Sequence, residues 1–170
     1  MKRTVFIIAI SMIAAITISA QKMKSDNTNI EDKIALKELV DTFSNLADVK
    51  DTKGQVLLFT PNGSTTTLRD GKEVSHLEGR DKMEAAFANF LKNFGTVYHF
   101  NGQHVTKING DTATGTLYCF VTLIGAENGK PMKTTIGVIY NDEYVRQGGR
   151  WFISKRISNF TWQDKQPLGQ

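Results

Sequence analysis

This chain of 170 residues predicts an α+β fold, on three observations. Up to Phe94 its apolar residues recur mainly at helical spacing. After Gly95 four long runs rich in β-branched and aromatic residues follow, separated by Gly-containing turns. Helices ahead of a long antiparallel sheet is the order that an α+β domain shows.

Thr28-Asn-Ile-Glu31 fits a capping box, in which the threonine oxygen and the glutamate satisfy free amides at a helix start. From there Ile30, Ile34, Leu36, Leu39, Val40, Phe43, Leu46 and Ala47 form one apolar stripe. Asp48 to Phe59 reads as a tight break and a short second helix carrying Val56, Leu57 and Phe59, ended by Pro61-Asn62-Gly63. Ser64–Leu68 and Glu73–Leu77 flank Arg69-Asp-Gly-Lys72, a hairpin signal. Arg80 to Phe94 is a third helix with Met83, Ala86, Phe87, Phe90, Leu91 and Phe94 on one face and Gly95 as its stop.

The strands are expected at Thr96–Ile108, Asp111–Ile124, Met132–Arg146 and Arg150–Trp162. On the second of these, Ala113, Gly115, Leu117, Cys119, Val121 and Leu123 share a small, apolar face that suits a core or cavity wall. The alternate residues, Thr112 through Thr122 with Tyr118 and Phe120, suit a half-covered outer face able to meet another subunit. A strict two-residue turn at Asn109-Gly110 would pair His99 with Phe120 and turn the histidine outward. A longer turn or a bulge near Gly102 shifts the register and puts His99, Asn101 and Val105 with Leu117 and Cys119. We expect the shifted register, because it gathers Val105 with the apolar set.

The N-terminus speaks to location. Lys2-Arg3 precedes an almost wholly apolar run from Val5 to Ile18, and Ile18-Ser19-Ala20 offers small residues for a signal peptidase. The run is short for a spanning helix, which needs about 20 residues. Residues 1–20 therefore read as a signal peptide, 21–27 as a flexible leader, 28–163 as one domain and 164–170 as a loose tail. The expectation is an exported protein, periplasmic or secreted, with no stable membrane insertion once the signal is removed.

Loss of the signal removes two bases, so 19 of the 21 face 17 acids and the mature charge is +2. The bases are scattered with no aromatic-basic stripe, which argues against nucleic acid. Cys119 is the single cysteine, so no internal disulfide forms, and its apolar strand suits an inert buried thiol. Three histidines and one cysteine lack ligand spacing, and no Gly-rich phosphate loop precedes a helix. No metal and no cofactor is expected.

The order α-α-β-β-α-β-β-β-β carries a resemblance. It runs through Ala47-Asp48-Val-Lys-Asp51, Leu58-Phe59-Thr60-Pro61, Gly79 before the third helix, His99 in the next strand and Ile108-Asn-Gly110-Asp111. It closes on the hairpin from Tyr140 through Trp151 to Arg156. Over roughly Ile30 to Trp162 the chain resembles SnoaL-like domain proteins of the nuclear transport factor 2-like superfamily. The resemblance implies a curved antiparallel sheet wrapped by N-terminal helices, a conical α+β barrel with an internal pocket.

In the scytalone-dehydratase-like and related enzymes of that superfamily, an aspartate ending the first helix and a histidine in the following long strand face the pocket. Asp48 and His99 match those positions. A histidine held by a carboxylate can take a proton beside a carbonyl, because histidine ordinarily titrates near working pH. Ala47, Thr67, Leu117 and Tyr140 stand where that dehydratase carries two tyrosines, a second histidine and an asparagine, so half of its acid/base apparatus is absent. Each residue also has a structural reading: Asp48 as the cap of the second helix, His99 as a satisfied core histidine, His76 and His104 as surface residues.

Two functions follow from these residues. One is an exported protein whose apolar cone binds a small hydrophobic or aromatic molecule, lined by Phe59, Leu117, Cys119 and Trp162. The other is a cofactor-free lyase or isomerase with His99 as general base, Asp48 orienting it and Tyr140 donating a hydroxyl. The outer sheet face is the expected surface of a homodimer.

Overall fold

The computed structural model describes residues 29–169, so the signal, leader and capping threonine expected before Asn29 lie outside the described residues. The chain divides into two compact units, Met1–Ala35 and Leu36–Gln170. In the first, residues 29–35 are helical, and Ile30 and Ile34 are exposed. The apolar stripe expected from Ile30 therefore does its burying only from Leu36 onward.

The second unit holds the domain. Helix α1 (29–48) buries Leu36, Leu39, Val40, Phe43 and Ala47, a spacing of three or four that keeps them on one face. A turn with Lys50 at φ 60° leads to α2 (Thr52–Leu57), whose N-cap is Asp51: its carboxylate accepts from Gly54 N at 2.9 Å. Capping thus falls to Asp51 and leaves Asp48 for another partner. Phe59, expected on the short helix, opens strand β1 (Phe59–Arg69), and Pro61-Asn62-Gly63 lies within that strand. Proline is tolerated there because the pairing of β1 with its parallel neighbour is interrupted between Phe59 and Ser64.

Strand β2 (Lys72–Glu78) returns antiparallel to β1, as the hairpin signal implied. Gly79, at φ 86°, then turns the chain into α3 (Arg80–Leu91), a conformation open to glycine at little cost. This helix stops three residues earlier than expected, and Phe94 begins the next strand.

Four long strands follow: β3 (Phe94–Asn109), β4 (Thr112–Glu127), β5 (Lys130–Gln147) and β6 (Arg150–Pro167). Residues 164–167, expected in a loose tail, instead continue β6 against β5, with Pro167 opposite Met132. The six strands form one curved, unclosed sheet in the order β2-β1-β6-β5-β4-β3. All neighbours are antiparallel except β1 and β6.

Along β4 the burial alternates as the sequence predicted, with Ala113, Leu117, Cys119, Val121 and Leu123 buried and Tyr118 and Phe120 exposed. The turn between β3 and β4 is Gly110-Asp111, one residue later than the strict reading, and a bulge falls between Asn101 and His104. His99 consequently pairs with Val121 and Asn101 with Cys119, on the inner face. Val105 does not join them. It pairs with Thr116 and is exposed, and His104 takes the inner position beside Leu117.

Candidate functional site

A cavity of about 290 Å³, open on one side past the exposed Arg69 and Phe90, lies within the second unit. Its wall is mainly apolar, with Phe43 and Ala47 from α1, Phe87 from α3, Val121 and Leu123 from β4 and Val138 from β5. Among them stand His99, Tyr140, Gln55 and Arg156.

His99 and Asp48 meet. Nδ1 of His99 lies 2.7 Å from Oδ1 of Asp48, and the His99 backbone N–H donates to Oδ2 at 3.2 Å. The two side chains are 9% and 23% exposed, so the pair is largely shielded from solvent. Because the carboxylate accepts, Nδ1 carries the hydrogen, and Nε2 is the nitrogen left with the lone pair of a neutral ring. The bulge at Gly102-Gln103 lets Asn101 face inward too, where Nδ2 donates to Asp41 Oδ1 at 2.9 Å and Oδ1 accepts from Ser44 at 3.2 Å. These bonds tie β3 to α1 one turn away from the Asp48 contact and hold the pair in register.

Tyr140 lines the cavity, and burial pushes its phenol well above the ordinary tyrosine range, so it stays neutral and able to donate. The four residues expected to line the pocket do not line this cavity. Phe59 is fully buried and meets the Phe43 ring edge-on at 6.0 Å, in packed core. Leu117 and Cys119 face inward, but the cavity takes only Val121 and Leu123 from β4; the positions before them are core. Burial pushes the Cys119 thiol up to about 12.

Trp162 lies on the outer face, tilted against Phe120 at 5.4 Å. The pairing of β5 with β6 slips between Gly137 and Val138, so Thr161 is an extra residue and Trp162 turns away from the side that Phe160 lines. A Cβ on Gly137 would come within 2.1 Å of Trp162 Nε1, so the ring needs glycine beneath it.

Sequence reasoning missed Arg156. It is 1% exposed, lies between the rings of Phe43 and Tyr140 at 4.4 Å from each, and borders the cavity. Its Nε and Nη2 donate to the two oxygens of Asp142 at 2.8 and 2.6 Å. Burial works against this guanidinium's charge, but Asp142 outweighs it and holds the group above its ordinary value. Tyr144 donates to Asp142 Oδ2 at 2.8 Å, so its oxygen is left to accept from His104 Nε2 at 3.1 Å. His104 is therefore part of a buried network and not a surface residue; burial lowers its pKa. His76 is exposed, as expected of a surface residue, with Nδ1 2.9 Å from Thr66 Oγ1. Among the described residues no group of three or more His, Cys, Asp or Glu side chains is placed to hold a metal ion.

Comparison with known proteins accords with this arrangement. Residues 28–157 match the SnoaL-like domain family, and the chain belongs to it. It is similar to the uncharacterized protein Rv2910c of Mycobacterium tuberculosis, 24% identical over 79% of this chain and 88% of that one. Among solved structures it resembles a protein provisionally named a scytalone dehydratase, from Novosphingobium aromaticivorans (TM-score 0.71, 16% identity, 85% of this chain and 97% of the other). A hexachlorocyclohexane dehydrochlorinase of Novosphingobium barchaimii, LinA-type3, is similar at TM-score 0.71 and 14% identity, over 85% and 96% of the two chains. At these identities the likeness establishes the fold, the nuclear transport factor 2-like cone.

Proposed function

We propose that this chain binds a small, largely apolar molecule in its cavity and removes a proton from it without a cofactor, as a lyase or isomerase. The observation that carries the reading is that His99, which lines a mostly apolar cavity, is held at 2.7 Å by Asp48, which is not itself a lining residue. His99 Nε2 acts as general base and Asp48 fixes the ring and offsets the charge it gains. Tyr140, kept neutral by burial, serves as the donor. The names of two structural relatives, a dehydratase and a dehydrochlorinase, both denote eliminations, in which a base takes a proton from the carbon next to the one that loses water or chloride.

The test is hydrogen–deuterium exchange at the acidic benzylic carbon of β-tetralone in heavy water, followed by proton NMR. His99→Ala and Asp48→Asn should each slow the protein-catalysed rate by roughly a hundredfold or more. Equal rates for wild type and both variants overturn the reading. Binding without chemistry is the second reading, favoured by the apolar wall; tight binding of β-tetralone with no exchange above buffer would select it.

The expected homodimer through the outer sheet face is also proposed. Tyr98, Phe100, Tyr118, Phe120 and Trp162 are each about half exposed on that face, an aromatic surface that a second copy of the chain would cover. Light scattering should give twice the chain mass, and Phe100→Lys with Phe120→Glu should halve it. Export rests on Lys2-Arg3, the Val5–Ile18 run and Ala20, and predicts a mature N-terminus at Gln21 by sequencing of the processed protein.

A further inference from the structure

Arg69 ends strand β1 at the open rim of the cavity, where it is exposed. Its guanidinium carbon lies 5.5 Å from the centre of the Phe160 ring, and among the described residues it has no carboxylate partner. The other charges at this rim leave it uncompensated. A second hollow that shares Arg69, Phe90 and Phe160 with the cavity brings Glu127 and Lys165 there, but they pair with each other at 2.5 Å. Lys72 stands opposite Arg69 in the hairpin and is matched in charge by Asp70 in the turn between them. One positive charge remains.

Two residues back along β1, on the same face, stands Thr67. The register puts Ser75 beside it on β2 and Ser158 beside it on β6. All three line the cavity, so a row of hydroxyls crosses its floor next to Arg69. Among the described residues none of the three hydroxyls has a hydrogen-bond partner, and none is sealed from the cavity. Along the strand the row is about 7 Å from Arg69, which leaves room for one small planar group between them. The helices supply the apolar side of the same space, with Phe43 and Ala47 from α1 and Phe87 and Leu91 from α3.

We propose that this rim is a carboxylate-binding subsite, and that the ligand is a monocarboxylic acid with an apolar body: its carboxylate pairs with Arg69 and accepts from Thr67, while the body lies in the cavity. The planar fork of a guanidinium matches the edge of a carboxylate, and a single uncompensated positive charge suits a monoanion. A carboxylate at the rim keeps part of its hydration, which it would lose among the apolar side chains further in. The inference rests on the proposed binding of a small molecule in this cavity and not on His99 as base.

Titration calorimetry on the purified chain tests it with 2-naphthylacetate, its neutral isostere 2-naphthylacetamide and the cation 2-naphthylethylamine. At low ionic strength the acid should bind about tenfold tighter than the amide, as for a hydrogen bond between charged groups, and the amine weakest. About half-molar sodium chloride should reduce that advantage to roughly threefold, because water and salt reach the rim. Arg69→Gln, a change at an exposed position, should remove the preference for the acid and leave the amide within about twofold of its wild-type affinity. Thr67→Val, of nearly equal shape, should narrow the preference roughly threefold. β-Tetralone should displace the acid, as expected of two ligands sharing one cavity.

Equal affinities of acid and amide, a preference that survives Arg69→Gln or is untouched by Thr67→Val, or an acid that β-tetralone does not displace overturns the inference. The two readings fail separately. Amide and β-tetralone that bind while the acid gains nothing fail the subsite alone, whereas no binding by any probe fails the cavity reading and the subsite with it.

Discussion

Replacing Asp142 by alanine would strand the Arg156 guanidinium in the interior. The two groups are 3% and 1% exposed, and the carboxylate receives Arg156 Nε at 2.8 Å, Nη2 at 2.6 Å and the Tyr144 hydroxyl at 2.8 Å. Removing one partner of a buried pair costs roughly 3–5 kcal/mol, because the survivor stays desolvated and uncompensated. Phe43 and Tyr140 still sandwich the guanidinium and retain a part of its stabilisation, which places the expected loss at about 3–4 kcal/mol. In urea titrations with a slope of about 2 kcal/mol per molar, the midpoint should fall by roughly 1.5–2 M. The double variant Asp142→Leu with Arg156→Met removes the lone charge as well and should recover most of that loss, since the cost of burying the ions vanishes with them. A loss under about 1 kcal/mol in Asp142→Ala, or a double variant less stable than the single, would refute the view that the pair matters through its buried charge.

Two further outcomes follow from the interior. Burial lowers the His104 pKa below its ordinary 6.5, with Asp142 opposing, so below that pH the unfolded chain binds more protons than the folded one. Its contribution to stability is therefore present above about pH 6.5 and lost as pH falls toward the folded value; His104→Gln should lose less stability than wild type in urea titrations run from about pH 8 to about pH 5. Cys119, 5% exposed and pushed up to about 12 by burial, should react with a disulfide reagent near pH 8 only as fast as the protein opens; rapid labelling in native buffer would contradict its placement.

Much of the molecule was legible from residue order. Helical spacing located the buried face of α1 from Leu36 to Ala47, and strict alternation sorted β4 into Leu117, Cys119, Val121 and Leu123 inside with Tyr118 and Phe120 outside. These patterns are periodic, and burial imposes the period directly on the choice of side chain. The Asp48 and His99 positions were identified through the resemblance to SnoaL-like proteins, one at a helix end and one in a strand.

What the tertiary structure decided is the parity of the strands. A residue's face follows from alternation only until an extra residue enters one strand, and three such places set the site. The irregularity between Asn101 and His104 brings both His99 and His104 inside. Ser154, unmatched between the Tyr144–Ile153 and Glu143–Lys155 pairs, lets Ile153 and Arg156 both face inward, where alternation alone would have put Arg156 in solvent. Thr161 sends Trp162 out and leaves Phe160 in. Each bulge is stabilised by the neighbouring strand and the side chains packed across the sheet, contacts distant in sequence, so residue periodicity along one strand carries no record of them.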